Sequence, residues 1–257
     1  MTVLEVEGLT FGYSEDPVLE GVSFKLDRPE LVCVIGPNGV GKTTMVKCLN
    51  RILKPDGGSV RLDGEDVLGM RLMDLARKMA FVPNRIDPTF DSTVAETVLM
   101  GRFPFAQWAN SDRDLEVVDR AMNTLGLQPL CHRTVSELSS GQLQKVLIAR
   151  GLAQEPRVLI LDEPTSNLDV RHQMEVMRFL RDYARESGII VLMVCHDLNL
   201  TAAFADRVIM MSDGGIFADG APWDVMTEDS IRLVYGVDSR IIDVEGRPHV
   251  ILLTGGA

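Results

Sequence analysis

The 257-residue chain carries 26 lysines and arginines against 37 aspartates and glutamates, a formal net charge of −11, and 46% of its residues are hydrophobic. An acidic surface repels phosphate backbones, which argues against non-specific nucleic-acid binding, and the apolar share supports a sizeable core rather than disorder. The longest apolar stretches, such as Gly188–Cys195, are far too short to cross a bilayer, and Met1-Thr-Val-Leu-Glu-Val-Glu7 lacks the basic-then-apolar order of a secretory signal. A cytoplasmic protein is expected, with any membrane role supplied through a partner. Cys33, Cys48, Cys131 and Cys195 show no metal-like spacing and are expected to be reduced, three of them in apolar segments.

In chain order, Val3–Val6, Val22–Leu26 and Leu31–Ile35 read as short strands, the last ending in a glycine-rich loop. Thr43–Leu53 has helical spacing and stops at the turn cluster Lys54-Pro-Asp-Gly-Gly58. Ser59–Leu62 and Ala80–Pro83 read as strands, with Leu72–Lys78 a helix between them. From about Arg85 the character changes to a succession of helices, Thr93–Met100, Asp112–Leu125 and Leu143–Ala153. Ser111 is placed to cap the second, whose spacing puts Leu115, Val118, Met122 and Leu125 on one face. Strand–helix alternation then resumes: Arg157–Leu161, Ile189–Val194 and Arg207–Met211 are apolar strands, and His172–Glu186 is a helix. Continuous apolar strands alternating with helices predict a largely parallel sheet covered on both faces, with a helical subdomain inserted.

Gly36-Pro37-Asn38-Gly39-Val40-Gly41-Lys42-Thr43, with Thr44 following, fits G-x-x-x-x-G-K-[ST] between a predicted strand and a predicted helix. Glycines let backbone N–H groups curl round phosphate oxygens, and the helix N-terminus adds positive potential. Lys42 would contact the β- and γ-phosphates and the Thr43 hydroxyl would ligate Mg²⁺. Asp162 and Glu163 end an apolar strand, where Asp162 can hold Mg²⁺ through its water shell and Glu163 can polarise an attacking water as a general base. His196 ends another apolar strand, and in a parallel sheet such ends share one ligand-binding edge, so its imidazole would reach a γ-phosphate. The ligand read from these residues is a nucleoside triphosphate with Mg²⁺.

Leu138-Ser139-Ser140-Gly141-Gln142 narrows the class. With the phosphate loop, Leu161-Asp-Glu-Pro164, Ser166-Asn-Leu-Asp169 and His196, it resembles the ATPase subunit of an ABC transporter, over nearly the whole chain. Kinases, GTPases and helicases with a phosphate loop lack that signature. The resemblance implies an α/β phosphate-loop NTPase core with a mixed, mainly parallel sheet, an N-terminal antiparallel β part and an inserted α-helical subdomain. On that pattern residues 1–257 form one ABC ATPase domain: 1–84 and 154–226 the core, 85–153 the helical subdomain with the signature, 227–257 a short C-terminal extension.

The same resemblance implies a homodimer packed head to tail, each ATP lying between one phosphate loop and the opposing signature, Ser139–Gln142. Ser139 and Gly141 would donate to the γ-phosphate held by the other chain, Tyr13 would stack on adenine, and Asp169 belongs to the D-loop. Its partners would be a transmembrane permease, which holds it on the cytoplasmic face of the membrane, and indirectly a periplasmic-type substrate-binding protein; no nucleic acid is expected. Met100-Gly-Arg-Phe-Pro104, Leu168–Gln173 and Val234-Tyr-Gly-Val237 resemble importers of metal chelates such as iron–siderophore, haem and cobalamin. Importers of oxyanions such as molybdate share that organisation, and a soluble ABC ATPase in cofactor assembly stays open. The short region Arg85–Val135 speaks against DNA-repair relatives, which carry a long coiled coil there. Two positions depart from the pattern, Ser140 where glycine is usual and Asn84 where the family places a glutamine that touches Mg²⁺ and the attacking water. Asparagine is shorter by about 1.5 Å, one C–C bond, whereas metal coordination tolerates about 0.2 Å. Either the loop moves inward, or a water bridges Asn84 to Mg²⁺, or Asn84 only turns the chain.

Overall fold

The computed structural model describes residues 2–14, 16–84, 92–105 and 111–254. Alternation of apolar and polar side chains builds the first sheet. β1 (Leu4–Gly12) buries Leu4, Val6, Leu9 and Phe11, and β2 (Pro17–Leu26) buries Leu19, Val22, Phe24 and Leu26. The two pair antiparallel, with a register slip between Val6 and Leu9 where Gly8 takes φ 60°. This bulge resets the two-residue period, so β1 runs on to Gly12 although simple alternation ends at Val6. β3 (Glu30–Ile35) leaves this sheet; after α1 (Lys42–Leu49) the chain returns as β4 (Gly57–Leu62) and β5 (Glu65–Asp66), completing the order β2-β1-β4-β5. α1 stops short of the Leu53 that its spacing predicts. Arg51 turns left-handed at φ 55°, and the amides of Ile52 and Leu53 fold back on the Lys47 carbonyl.

The chain continues through α2 (Leu72–Lys78), β6 (Met79–Val82), α3 (Val94–Leu99), α4 (Asp112–Thr124), α5 (Ser140–Ala153), β7 (Val158–Asp162), α6 (Val170–Ser187), β8 (Ile190–Val194), α7 (Leu198–Phe204), β9 (Arg207–Ser212) and β10 (Gly215–Gly220). The second sheet has the order β10-β9-β3-β8-β7-β6, parallel from β9 to β6, with β10 antiparallel at its edge. Successive residues of its strands feed two cores. Val32, Val34, Ile160 and Leu192 pack with the antiparallel sheet and α1, whereas Cys33, Leu159, Leu161 and Met193 pack with the helices on the other face. Burial on both faces is what the continuous apolar runs predict.

α4 is rotated from its expected setting. Val117, Val118, Ala121 and Met122 are buried together with Asp114, and Leu115 is 54% exposed. The cause is polar: Arg102 draws Asp114 inward. Met100–Phe105 forms a 3₁₀ turn so close to α5 that a Cβ on Gly101 would stand 2.2 Å from the Arg150 carbonyl oxygen. From it Arg102 donates to Asp114 Oδ1 at 2.8 Å and to the Ala153 carbonyl at 2.8 Å, and its guanidinium lies 3.9 Å from the Phe105 ring centroid. Both charged side chains are nearly inaccessible, at 2% and 7%. Ser111 caps α4 as its position predicts, accepting from the Asp114 amide. α5 begins three residues before the predicted Leu143 because Ser139 and Gln142 form a capping box there.

After β10 come α8 (Pro222–Val225), α9 (Glu228–Tyr235) and a hairpin of β11 (Ser239–Val244) and β12 (Arg247–Leu252). β12 is fastened to α7 at both ends. The Asn199 amide donates to the Val250 carbonyl at 3.1 Å and accepts from the Val250 N–H at 2.8 Å, and Arg247 donates to the Ala205 carbonyl at 2.8 Å. Among the described residues the cysteines are free, three of them buried, and no helix is long and apolar enough to cross a membrane.

Arg102→Met keeps the stem but strands Asp114 in the core, so urea unfolding should show a loss of about 3 kcal/mol. The Ser111 amide, then Arg102 and the Ser111 hydroxyl, bring the Asp114 carboxyl down to about 2. That value lies below the unfolded value of about 3.9, so its stabilisation is complete above about pH 4 and is lost as pH falls towards 2. Wild-type protein should lose more stability across that window than Asp114→Asn.

Candidate nucleotide site

Parallel pairing in the order β3-β8-β7-β6 brings four carboxyl-terminal strand ends to one edge. Ligands of open α/β sheets bind at such an edge. β3 delivers Gly36–Thr44, β8 delivers His196, β7 delivers Asp162 and Glu163, and β6 delivers Asn84. The loop needs its glycines: Gly36, Gly39 and Gly41 have φ 150°, 84° and 98°. A Cβ on Gly36 would stand 2.4 Å from the Met211 carbonyl oxygen, and one on Gly41 2.8 Å from that of Val18. α1 starts directly at Lys42, pointing its N-terminus into the loop.

The buried Lys42 ammonium donates to the carbonyls of Gly36 at 2.7 Å and Pro37 at 2.8 Å. Burial lowers its pKa, opposed by the charges of Glu163 and Asp162. The Thr43 hydroxyl donates to Asp162 Oδ1 at 2.8 Å, and burial raises the Asp162 carboxyl. Tyr13, Val18, Asn38, Gly39, Gly41, Lys42, Thr43, Thr44, Glu163 and His196 line a cleft of about 320 Å³. Gly36, Pro37 and Val40 are not among its lining residues. Tyr13 stands at the rim, 65% exposed, braced edge-on by Phe11 at 4.9 Å, with its hydroxyl 3.5 Å from that of Thr44.

Glu163 adopts a left-handed backbone, φ 50°, a costly setting for a residue with a Cβ and one that clusters at functional sites. Its Oε1 meets His196 Nε2, and its Oε2 accepts from the Asn84 amide at 2.9 Å. Ser166 in turn donates to Asn84 Oδ1 at 3.0 Å. The structure therefore joins Asn84 to Glu163, whereas Thr43 and Asp162 pair with each other. Ser166 entered the sequence reading only as part of a motif, because nothing in linear spacing reveals a partner 82 positions away.

The signature lies apart from this cleft, which none of Ser139, Ser140, Gly141 and Gln142 lines. Ser139 caps α5, accepting from the Gln142 amide at 3.3 Å, and Ser139 and Ser140 are exposed. Gly141 is buried under His172, whose Cδ2 would stand 3.1 Å from a Cβ there. Asp169 caps α6 and holds His172 by its amide at 2.9 Å and by Nδ1 at 2.8 Å. This link between D-loop and signature escaped the sequence reading, which took His172 only as part of a longer run. A larger groove, about 450 Å³, lies away from all of these residues, between α2, the 3₁₀ turn and α5, and presents Leu72 and Phe103 at 65% and 67% exposure.

A phosphate loop, an acid pair and a histidine along one parallel sheet edge define a nucleotide hydrolase of the phosphate-loop class. Residues 19–166 match the ABC transporter family. An uncharacterised ABC transporter ATP-binding protein of Methanocaldococcus jannaschii is 41% identical over 98% of both chains. The ferric enterobactin transport ATP-binding protein of Escherichia coli is 37% identical over 97% of this chain and 94% of its own. Among solved structures, an inward-facing putative metal-chelate type ABC transporter superposes with a TM-score of 0.85, at 27% identity over 98% of this chain and 97% of that one. The chain belongs to the ABC transporter ATP-binding family and is an ATPase.

In the absence of nucleotide, Gly36→Ala should be more destabilising than Gly39→Ala. The first drives a methyl into the Met211 carbonyl, an overpacking cost of about 1–3 kcal/mol. The second meets open space within 4 Å and bears only the backbone penalty. Parallel urea titrations of the two variants make the comparison.

Proposed function

We propose that two copies of this chain form the ATP-driven motor of an importer for a metal chelate, docked on the cytoplasmic face of a membrane permease. The observation that carries the pairing is the separation of the signature from the chain's own cleft. Ser139 and Ser140 are exposed at a helix N-terminus, where amides and dipole favour an anion, yet they line no part of the cleft that holds Lys42. Packed head to tail, each signature would close the other chain's site. The chelate class is supported by the relatives' names and by the metal-chelate type neighbour.

Within each site Lys42 would exchange its two carbonyl partners for phosphate oxygens as a charge-assisted donor. Thr43 and Asp162 are hard oxygen groups already side by side and fit Mg²⁺, which when bound would neutralise charge on the phosphates. Glu163 takes the proton of the attacking water. His196 touches Glu163 and can turn to a γ-phosphate. Tyr13 offers adenine an aromatic face, and Asp169, through His172, keeps the two halves of the dimer contact in register. The large groove with its exposed Leu72, Met100 and Phe103 suits an apolar segment of the permease.

Glu163→Gln should bind ATP yet hydrolyse it very slowly and accumulate as an ATP-bound dimer in gel filtration with MgATP, while Lys42→Ala should weaken nucleotide binding itself. A Glu163→Gln variant that stays monomeric and hydrolyses normally overturns the assignment. With permease in liposomes, ATPase activity should rise when a chelate-loaded binding protein is added. Stimulation only by a sugar- or amino-acid-loaded binding protein contradicts the cargo class. Phe103→Asp should abolish that stimulation and leave the activity of the isolated subunit intact.

A further inference from the structure

Three hydrogen bonds around Glu163 close into a ring. The Ser166 amide donates to the Glu163 carbonyl at 3.2 Å, forming the turn that follows β7. The Ser166 hydroxyl donates to Asn84 Oδ1 at 3.0 Å, and Asn84 Nδ2 donates to Glu163 Oε2 at 2.9 Å. The ring starts at the backbone of Glu163 and ends on its carboxylate, so it fixes the side chain against its own main chain. Asn167 braces it from outside, donating to the Ser166 oxygen at 3.3 Å.

A glutamate carboxylate has three rotatable bonds and normally sweeps a wide volume. Here it is held by His196 on one oxygen and by Asn84 on the other. An amide placed to donate with Nδ2 must turn its Oδ1 the other way, and an isolated asparagine flips between the two settings. The Glu163 carboxylate, which only accepts, selects the setting in which Nδ2 faces it, and the Ser166 proton on Oδ1 holds the amide in that place. Each carboxylate oxygen keeps a second lone pair, so the Asn84 bond does not prevent Oε2 from receiving a proton from water.

Resting on the assignment of Glu163 as general base, we infer that Ser166, acting through Asn84, is a positioning residue for that base. Asparagine suits this ring at position 84, since its amide spans from just past the end of β6 to a carboxylate just past the neighbouring strand β7. Ordering of the attack geometry is worth most where water is excluded, as it would be once a second chain covers this face.

The test uses full-length protein and single-turnover hydrolysis at saturating MgATP, with nucleotide affinity and thermal unfolding measured alongside. Ser166→Ala removes the donor and leaves the turn's backbone bond. Asn84→Asp is isosteric, still accepts from Ser166 and is an equally good turn residue, but it cannot donate to Glu163. Both should slow the chemical step, Ser166→Ala by about fivefold, the range of one net hydrogen bond, with unchanged affinity and melting temperature in Ser166→Ala, whereas Asn84→Asp also sets a second carboxylate beside Glu163. In Asn84→Asp the serine has nothing left to orient, so adding Ser166→Ala should cost no further rate. Asn84→Gln, which keeps a donor on a longer arm, should recover part of what Asn84→Asp loses. Wild-type rates in both single variants overturn the inference, as does strict additivity in the double variant, or a rate loss in Ser166→Ala matched by a fall in melting temperature. If these variants behave normally while Glu163→Gln is inactive, only the ring is wrong. If Glu163→Gln hydrolyses normally, the base assignment itself falls.

Discussion

The parallel hydrogen bonding of β3, β8, β7 and β6 sets everything else in this molecule. Each strand contributes one piece of chemistry at its carboxyl end: a phosphate loop, a histidine, an acid pair and an asparagine. Neighbouring strands lie under 5 Å apart, so the pieces meet without long loops. Apolar side chains on both faces lock the register, because a slip of one residue would exchange the two cores and turn every buried side chain the wrong way. The Thr43–Asp162 and Asn84–Glu163 contacts are consequences of that register.

The helical part packs its apolar side chains on one face of the second sheet and is braced internally by one buried cation. Arg102 reaches Asp114 on α4 and the Ala153 carbonyl at the end of α5, with Phe105 over its guanidinium. A guanidinium suits this because its planar fork satisfies several acceptors at fixed angles. The neighbouring residue, Phe103, stays out in the groove. The stretch Met100–Pro104 thus couples internal bracing to an external apolar face, which gives a physical reading to residues that sequence alone marks only by resemblance.

The parts of the fold that were legible in the sequence carry a local signal. The phosphate loop announces its own conformation through its glycines, and the buried strands show as unbroken apolar runs. α4 was placed correctly but set at the wrong angle, because hydrophobic spacing counts Leu115 as core and Asp114 as surface, and only the distant Arg102 reverses them. α7 and the β11–β12 hairpin were missed. α7 is too short for a periodic pattern, and the hairpin carries exposed apolar residues such as Val244 and Leu252 that blur its alternation. At the site, residue identities were readable but partnerships were not. Asn84 and Ser166 are 82 positions apart and are joined only by strand order.

The hairpin's hold on α7 has a temporal side. α7 follows directly on His196, and the strand that fastens it is encoded 51 positions later. On a ribosome adding about 5–20 residues per second, the helix stays without its clamp for several seconds after it emerges. During that interval the helix behind the histidine lacks the bonds to Val250 and Arg247. The helix that follows His196 therefore gains its last fixed bonds only once Arg247 and Val250 have been synthesised.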